Sequence, residues 1–146
     1  MTVKTPPVVV AITGASGAIY AIRLMQMLCV ADTPIHLTIS PSGAAVIEQE
    51  TGLRPNLKQL DIVELLEFLP QWASERSTRL VQETNWSDCV EKHVVYHRHD
   101  NFMTPIASGS FLARSMVICP CSGSTLSGVA ISASNNLIQR AAEVHY

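Results

Sequence analysis

Small and hydroxyl-bearing residues follow the first apolar segment of the sequence, where they could hold a phosphate group. Five apolar residues run directly into Thr13, Gly14, Ala15, Ser16 and Gly17. A turn that joins a buried strand to a helix lets the backbone approach a ligand, and the first helical turn offers N–H groups with partial positive charge. The spacing therefore predicts an anion site at this turn.

A second turn of the same kind follows a later apolar segment. It contains Pro120, Cys121 and then Ser122, Gly123, Ser124 and Thr125. Ser40 adds a hydroxyl at the end of another predicted strand, and ligands of open α/β sheets bind at such strand ends. Ordinary capping or turn formation would explain each feature alone, but together they favour a shared cofactor cleft.

A nicotinamide dinucleotide site is not predicted. The dehydrogenase pattern Thr-Gly-x-x-x-Gly-x-Gly meets Ala18 and Tyr20 where it needs its later glycines. The second predicted strand ends in Ser40 and not in the acidic residue that binds ribose hydroxyls. The sequence also contains no Tyr-x-x-x-Lys pair.

Three further features could do chemistry, and each also has an ordinary explanation. Glu50 could transfer a proton or simply face solvent. Arg140 could bind a phosphate through its planar guanidinium or form a surface ion pair. The segment 102–111, which begins with Phe102, could line a flat ring or form a surface loop.

Cysteines and histidines give only a weak metal signal. Cys89, His93, His97 and His99 are loosely spaced, so we favour a solvated polar edge over a zinc site. Four cysteines without paired Cys-x-x-Cys modules indicate a reduced, cytoplasmic setting.

Apolar strand-like segments alternate with helical patterns, which predicts an α/β fold with a parallel sheet. The signal weakens in the polar middle, residues 72–101. The expected strands are Val8–Thr13, Ile35–Ser40, Val94–His97 and Ser115–Cys119, and the expected helical segments are Ala18–Val30, Ala44–Thr51, Leu57–Leu69, Ser124–Ser132 and Asn136–Glu143.

The length and composition favour a single domain that spans residues 1–146, with residues 1–7 as a tail. The 47% hydrophobic content with 15% charged residues is high for a water-soluble domain, and we expect buried subunit contacts. No apolar run is long enough to span a membrane. A net charge of −2 argues against nucleic acid as the main partner.

Taken together and in their order along the chain, these motifs resemble those of the UbiX-type flavin prenyltransferases. Older descriptions call these enzymes aromatic-acid carboxy-lyases. They belong to a flavoprotein superfamily that also contains cysteine decarboxylases. The resemblance covers most of residues 8–143 and is poor over 54–100. The motifs are Ile12–Tyr20, Ser40, Glu50-Thr51, Ile106–Phe111, Met116–Leu126 and Asn136–Ala142.

The resemblance implies a Rossmann-like three-layer sandwich and a reaction. Such enzymes transfer a dimethylallyl group from dimethylallyl phosphate to N5 and C6 of reduced FMN, without a metal. The prenylated FMN then serves a UbiD-type decarboxylase. Members of the family form homo-oligomers, typically dodecamers.

Residue roles follow from the same resemblance. Ser16 and Glu50 would be catalytic, and Arg140 would bind the phosphate of the prenyl donor. The residues expected to contact FMN are Gly14, Ala15, Ser16, Ser40, Phe102, Ser122, Gly123, Ser124 and Thr125.

The family pattern continues beyond Ala142 for roughly fifty residues, an estimate from the usual length of a single domain, whereas this sequence ends at Tyr146. We therefore expect that the C-terminal part of the family domain, with one more core strand, is missing. The alternatives are a cysteine decarboxylase-like enzyme, which would need a histidine near the flavin, and a non-catalytic FMN-binding homologue.

Overall fold

Four short strands rich in β-branched and other apolar residues form the centre of the molecule. The computed structural model describes residues 5–145. The strands are β1 (Val8–Ile12), β2 (Ile35–Ile39), β3 (Val94–Tyr96) and β4 (Ser115–Ile118). They pair in the order β3-β2-β1-β4, and all three pairings are parallel. The predicted parallel α/β architecture is confirmed.

Helices lie on both faces of this sheet and complete three layers. They are α1 (Ala18–Val30), α2 (Pro41–Thr51), α3 (Ile62–Glu67), α4 (Glu75–Glu83), α5 (Trp86–His93), α6 (Gly123–Ala130) and α7 (Leu137–Val144), with a short 3₁₀ helix at Pro105–Ala107. Among residues 5–145, no helix is long and apolar enough to cross a membrane.

The alternation of side chains along β1 divides the core into two parts. Val8, Val10 and Ile12 pack with α1, α3 and α5 in the larger cluster. Val9 points to the opposite face and packs with the 3₁₀ helix and α7. Because successive side chains of a strand point to opposite faces, one strand serves both clusters.

The second strand and its helix differ from the sequence prediction. Ser40 is not the last residue of β2 but the N-cap of α2, which begins at Pro41 and not at Ala44. The Ser40 hydroxyl accepts a hydrogen bond of 3.0 Å from the backbone N–H of Gly43. Proline is favoured in the first turn of a helix, so Pro41, Ser42 and Gly43 form the first turn of α2.

The middle of the chain also differs from its prediction. The amphipathic pattern at Leu57–Leu69 yields only α3, because Asp61 caps a helix that starts at Ile62. The weakly patterned residues that follow contain both α4 and α5, capped by Ser74 and Asn85. Capping side chains define where these helices start, but the helices are too short to show a clear hydrophobic periodicity in the sequence.

Candidate functional site

Three loops meet at the carboxyl edge of the sheet, after β1, β2 and β4. The central strand β1 lies between β2 and β4, so both neighbouring loops reach the loop that follows Ile12. Backbone hydrogen bonds continue the sheet here, from the N–H of Ser40 to the carbonyl of Ile12 and from the N–H of Cys119 to the carbonyl of Ala11. This is the edge at which ligands bind in open α/β sheets.

Thr13 joins the first loop to the third. Its buried hydroxyl donates to the carbonyl of Pro120 at 2.7 Å and accepts from the backbone N–H of Ser122 at 2.8 Å. Both partners lie more than one hundred residues away in sequence. The sequence analysis did not assign this role to Thr13, although a hydroxyl placed directly after an apolar strand was a usable signal.

The first and second loops are in close contact through two glycines. A Cβ at Gly14 would lie 2.5 Å from Cβ of Ser42, and a Cβ at Gly43 would lie 2.5 Å from the carbonyl oxygen of Ile12. Only glycine at these two positions allows the loops to approach this closely, so Gly14 and Gly43 are needed for loop packing whatever the site binds.

The α6 end of the site carries the hydroxyls that the sequence predicted. Ser122 caps α6, and its hydroxyl lies 2.9 Å from that of Thr125 and 3.2 Å from that of Ser124. The space beside Gly123 is open, since an added Cβ would meet nothing within 4 Å. Hydroxyls, helix N–H groups and free space together are what an anionic phosphate needs.

The α1 end is different, because a carboxylate of the protein lies at the helix start. The carboxylate of Glu50 accepts hydrogen bonds from the backbone N–H groups of Gly17 at 2.7 Å and Ile19 at 3.4 Å. Glu50 therefore supplies the negative charge that the N-terminus of α1 attracts. A phosphate at this position would meet that carboxylate, so the α6 end is the better phosphate site.

The remaining predicted residues are not all gathered at these loops. Ser16 is exposed in the first loop, next to the Glu50 contact. Phe102 is 44% exposed in the segment between β3 and β4. Arg140 lies on α7, where its side chain donates to the carbonyl of Ala107 at 3.1 Å and pairs with Glu143 at 3.0 Å. In the part of the chain that the structure describes, no side-chain hydrogen bond or ion pair joins Arg140 or Phe102 to the three loops.

The histidines do not form the solvated edge that the sequence predicted. His97 is buried, and a direct 2.8 Å hydrogen bond joins its ring to the ring of His36. Burial, together with the neighbouring His36, lowers the pKa of His97 to about 4. His93 ends α5 and pairs with Asp32. Within residues 5–145, no group of three or more metal-binding side chains is found.

An apolar groove that the sequence analysis missed adjoins the Glu50 end of the site. It runs between α1 and the segment 68–77 and includes a cavity of about 350 Å³. Tyr20 and Trp72, two exposed aromatic residues, both line it. The only sequence signal was an aromatic side chain at a helix start, which is too common to interpret.

Comparisons with known proteins agree with this geometry. The Flavoprotein family profile matches residues 2–146. A flavin prenyltransferase UbiX of Halalkalibacterium halodurans is 36% identical over 99% of this chain and 60% of its own. A flavin prenyltransferase UbiX of Pseudomonas aeruginosa is 36% identical over 94% of this chain and 57% of its own.

Solved structures give the same result. A crystal structure of AnUbiX (PadA1) in complex with FMN and dimethylallyl pyrophosphate matches with a TM-score of 0.70 and 26% identity, over 97% of this chain and 58% of that one. A dodecameric FMN-dependent Ubix-like decarboxylase from Escherichia coli O157:H7 matches with a TM-score of 0.65 and 27% identity, over 94% of this chain and 59% of that one.

The chain thus spans about 60% of the length of the relatives that it matches. The profile match covers nearly all of the sequence, and the parallel sheet carries its hydroxyl-rich loops at the carboxyl edge. The chain belongs to the Flavoprotein family.

Proposed function

We propose that this chain binds FMN and acts in the transfer of a dimethylallyl group from a phosphate donor to reduced FMN. The observation that carries the proposal is the Thr13 bridge, which holds the β1 loop against the hydroxyl-rich start of α6. The relatives named flavin prenyltransferase support the reaction, and the structure with FMN and dimethylallyl pyrophosphate supports the ligands.

The residues present fit a phosphate-bearing flavin. Ser122, Ser124 and Thr125 would bind the FMN phosphate through their hydroxyls, and Gly123 leaves room for it. Ser40 would donate its hydroxyl to the ribityl side of FMN. Gly14 and Ala15 bring the backbone of the first loop near the ligand, and Phe102 would lie against the ring. When bound, reduced FMN supplies the N5 and C6 positions that accept the prenyl group.

The other residues would act on the donor and on protons. Glu50, held at the start of α1, and the exposed Ser16 beside it would hold or move a proton. Arg140 would bind the departing phosphate with the guanidinium N–H groups that Ala107 and Glu143 leave free. A UbiD-type decarboxylase would receive the product. We also propose a homo-oligomer, because Leu112 and Ile131 are highly exposed and a relative is described as dodecameric.

A cysteine decarboxylase-like activity has less support. That activity would need a histidine near the flavin. Within residues 5–145, the side chains of His36, His97, His93 and His145 bond to one another, to Asp32 or to Ile106, and the buried Nδ1 of His99 has no hydrogen-bond partner, so no histidine side chain is bonded to the three loops.

The test is turnover with the purified full chain. FMN, a chemical reductant and dimethylallyl monophosphate are mixed with the protein, and the extracted flavin is analysed by mass spectrometry. Prenylated FMN that forms only with donor and protein supports the proposal. FMN binding without product would identify a non-catalytic flavin-binding protein, and failure to bind FMN would refute both.

A further inference from the structure

The groove beside the candidate site is continuous with the first loop. The aromatic ring of Tyr20 packs over Gly17, since a Cβ on Gly17 would lie 3.0 Å from the Tyr20 ring. Gly17 and Glu50 border one end of the groove, in a cavity of about 340 Å³. The same Tyr20 and Trp72 side chains also line the larger cavity farther along α1.

Hydrogen bonds hold the segment Leu66–Phe68 beside α1 in the absence of a ligand. The buried Gln26 side chain donates to the carbonyl of Leu66 at 2.8 Å and to that of Phe68 at 3.1 Å. These bonds hold Phe68 against α1, and Arg23 in turn donates to the side-chain oxygen of Gln26 at 3.1 Å. A preformed apolar groove loses little conformational entropy when it binds a ligand.

The end of the groove nearest the site favours an apolar occupant. The lining is mainly aromatic and aliphatic, from Ile19, Phe68, Leu69 and Pro70 as well as the two exposed aromatic residues. Its polar side chains, Arg23, Gln26, Ser74 and Ser77, line the cavity farther along α1 and not the end beside Glu50. The Glu50 carboxylate at its mouth disfavours entry of a phosphate. The apolar end of a phosphate-bearing molecule could therefore enter the groove while its phosphate stays outside.

The groove is longer than a dimethylallyl group requires. It follows α1 from Ile19 to Gln26, roughly 10 Å at the usual rise per helical residue. Its cavity of about 350 Å³ lies within the range of small-molecule pockets, ~300–1,000 Å³. A five-carbon group would fill only the end near Gly17.

We propose that this groove binds the hydrocarbon tail of the prenyl donor, so that the chain prefers donors longer than dimethylallyl phosphate, such as ten-carbon prenyl monophosphates. This inference rests on the proposed function, because the reaction is what brings a prenyl phosphate to the site. The occupant is the tail of that donor, since the groove opens beside Glu50, one of the residues proposed to act in the reaction.

Trp72 provides a direct readout of groove binding. The chain has two tryptophans, of which Trp72 is 74% exposed in the groove and Trp86 is 3% exposed in the core. The full chain is titrated with geranyl monophosphate, dimethylallyl monophosphate and inorganic phosphate while tryptophan emission is recorded. We expect geranyl monophosphate to bind at least about tenfold more tightly than dimethylallyl monophosphate, because more apolar surface is buried.

Two matched variants locate the binding. Tyr20→Ala removes one wall and keeps the Trp72 reporter, and it should remove most of the preference for the longer tail. Ile131→Ala truncates a side chain of similar exposure outside the groove and should leave the preference unchanged. Equal affinities for the two prenyl phosphates, or a preference that survives Tyr20→Ala, would overturn the inference.

The outcomes also separate this inference from the proposed function. If the chain transfers a dimethylallyl group but does not bind geranyl monophosphate more tightly, the groove is not the tail-binding site, and the proposed function still holds. If geranyl monophosphate binds tightly but no prenylated flavin forms, the groove is supported as a prenyl-binding site, and the proposed function is rejected. If the Trp72 emission changes with protein concentration but not on addition of either prenyl phosphate, a second copy of the chain covers the groove. This result would also reject the inference.

Discussion

The carboxylate of Glu50 lies 2.7 Å from the backbone nitrogen of Gly17 and accepts its N–H, although 33 residues separate the two. One side chain from the end of α2 thereby fixes the loop after β1 and the start of α1. Glu50 thus has a structural role that can be measured apart from any role in proton transfer.

Replacing Glu50 separates these two roles. Glu50→Ala should lower the free energy of unfolding by about 1 kcal/mol, because two N–H groups at a helix N-terminus lose their charged acceptor. Glu50→Gln keeps an oxygen acceptor and should lose less stability, yet it should abolish turnover. Urea unfolding and the flavin assay measure the two effects. Full turnover by Glu50→Gln would exclude proton transfer by this residue.

Thr13→Val should weaken both stability and FMN binding. The substitution keeps the side-chain shape but removes the hydroxyl that serves Pro120 and Ser122. The N–H of Ser122 then has no partner, and the carbonyl of Pro120 keeps only the backbone N–H of Thr13, at a cost of about 1–3 kcal/mol. Thr13→Ser retains the hydroxyl and is the matched control. Thermal unfolding and FMN titration of both variants give the measurement. Equal behaviour of the valine and serine variants would show that the bridge contributes nothing.

The N-cap residues distinguish ordinary capping from ligand binding. Ser40→Ala, Ser122→Ala and Asn136→Ala each remove an N-cap side chain and should cost about 1 kcal/mol of stability. Only the two serines lie at the site loops, so only their variants should also weaken FMN binding. FMN affinity by fluorescence, compared at matched stability, tests this. A similar loss of affinity in Asn136→Ala would indicate a general effect of destabilisation.

Gly14→Ala should destabilise the protein through a single contact. The new Cβ would lie 2.5 Å from Cβ of Ser42, and overpacking of this kind costs about 1–3 kcal/mol. Ser42→Gly removes the obstructing side chain, so the double variant should recover part of the lost stability. A double-mutant cycle from urea unfolding measures the coupling. Strictly additive effects would mean that the loops do not contact each other here.

The buried imidazole pair should make stability depend on pH. Burial lowers the pKa of His36, and burial together with His36 lowers that of His97 to about 4. In the unfolded chain histidine titrates near its ordinary pKa of about 6.5. Between these values the unfolded chain binds more protons, so stability is full above pH ~6.5 and falls as the pH drops toward ~4, by about 3 kcal/mol for His97.

A non-titrating substitution tests this assignment. His97→Gln should flatten the profile of unfolding free energy between pH 6.5 and 4. An unchanged slope in His97→Gln would assign the acid sensitivity to other groups.

Particular residues show how far sequence reasoning reached. The apolar runs in β1 and β4 and the hydroxyls of Ser122, Ser124 and Thr125 were predictable, because strand pattern and capping depend on neighbours in sequence. The sequence did not predict that Glu50 would occupy the start of α1, since a contact between α2 and the first loop depends on how the elements pack. The roles of Ser16, Phe102 and Arg140 stay predictions.

The sequence by itself determined the parallel α/β fold, the family resemblance and the two glycine- and serine-rich loops, because hydrophobic periodicity and turn chemistry are local properties. Only the tertiary structure decided which helix start stays open to an anion and which is taken by a carboxylate. It alone buried His97 against His36 and brought Trp72 and Tyr20 to the same groove. These relationships join residues that are distant in sequence, and they arise only when strands and helices pack around a shared core.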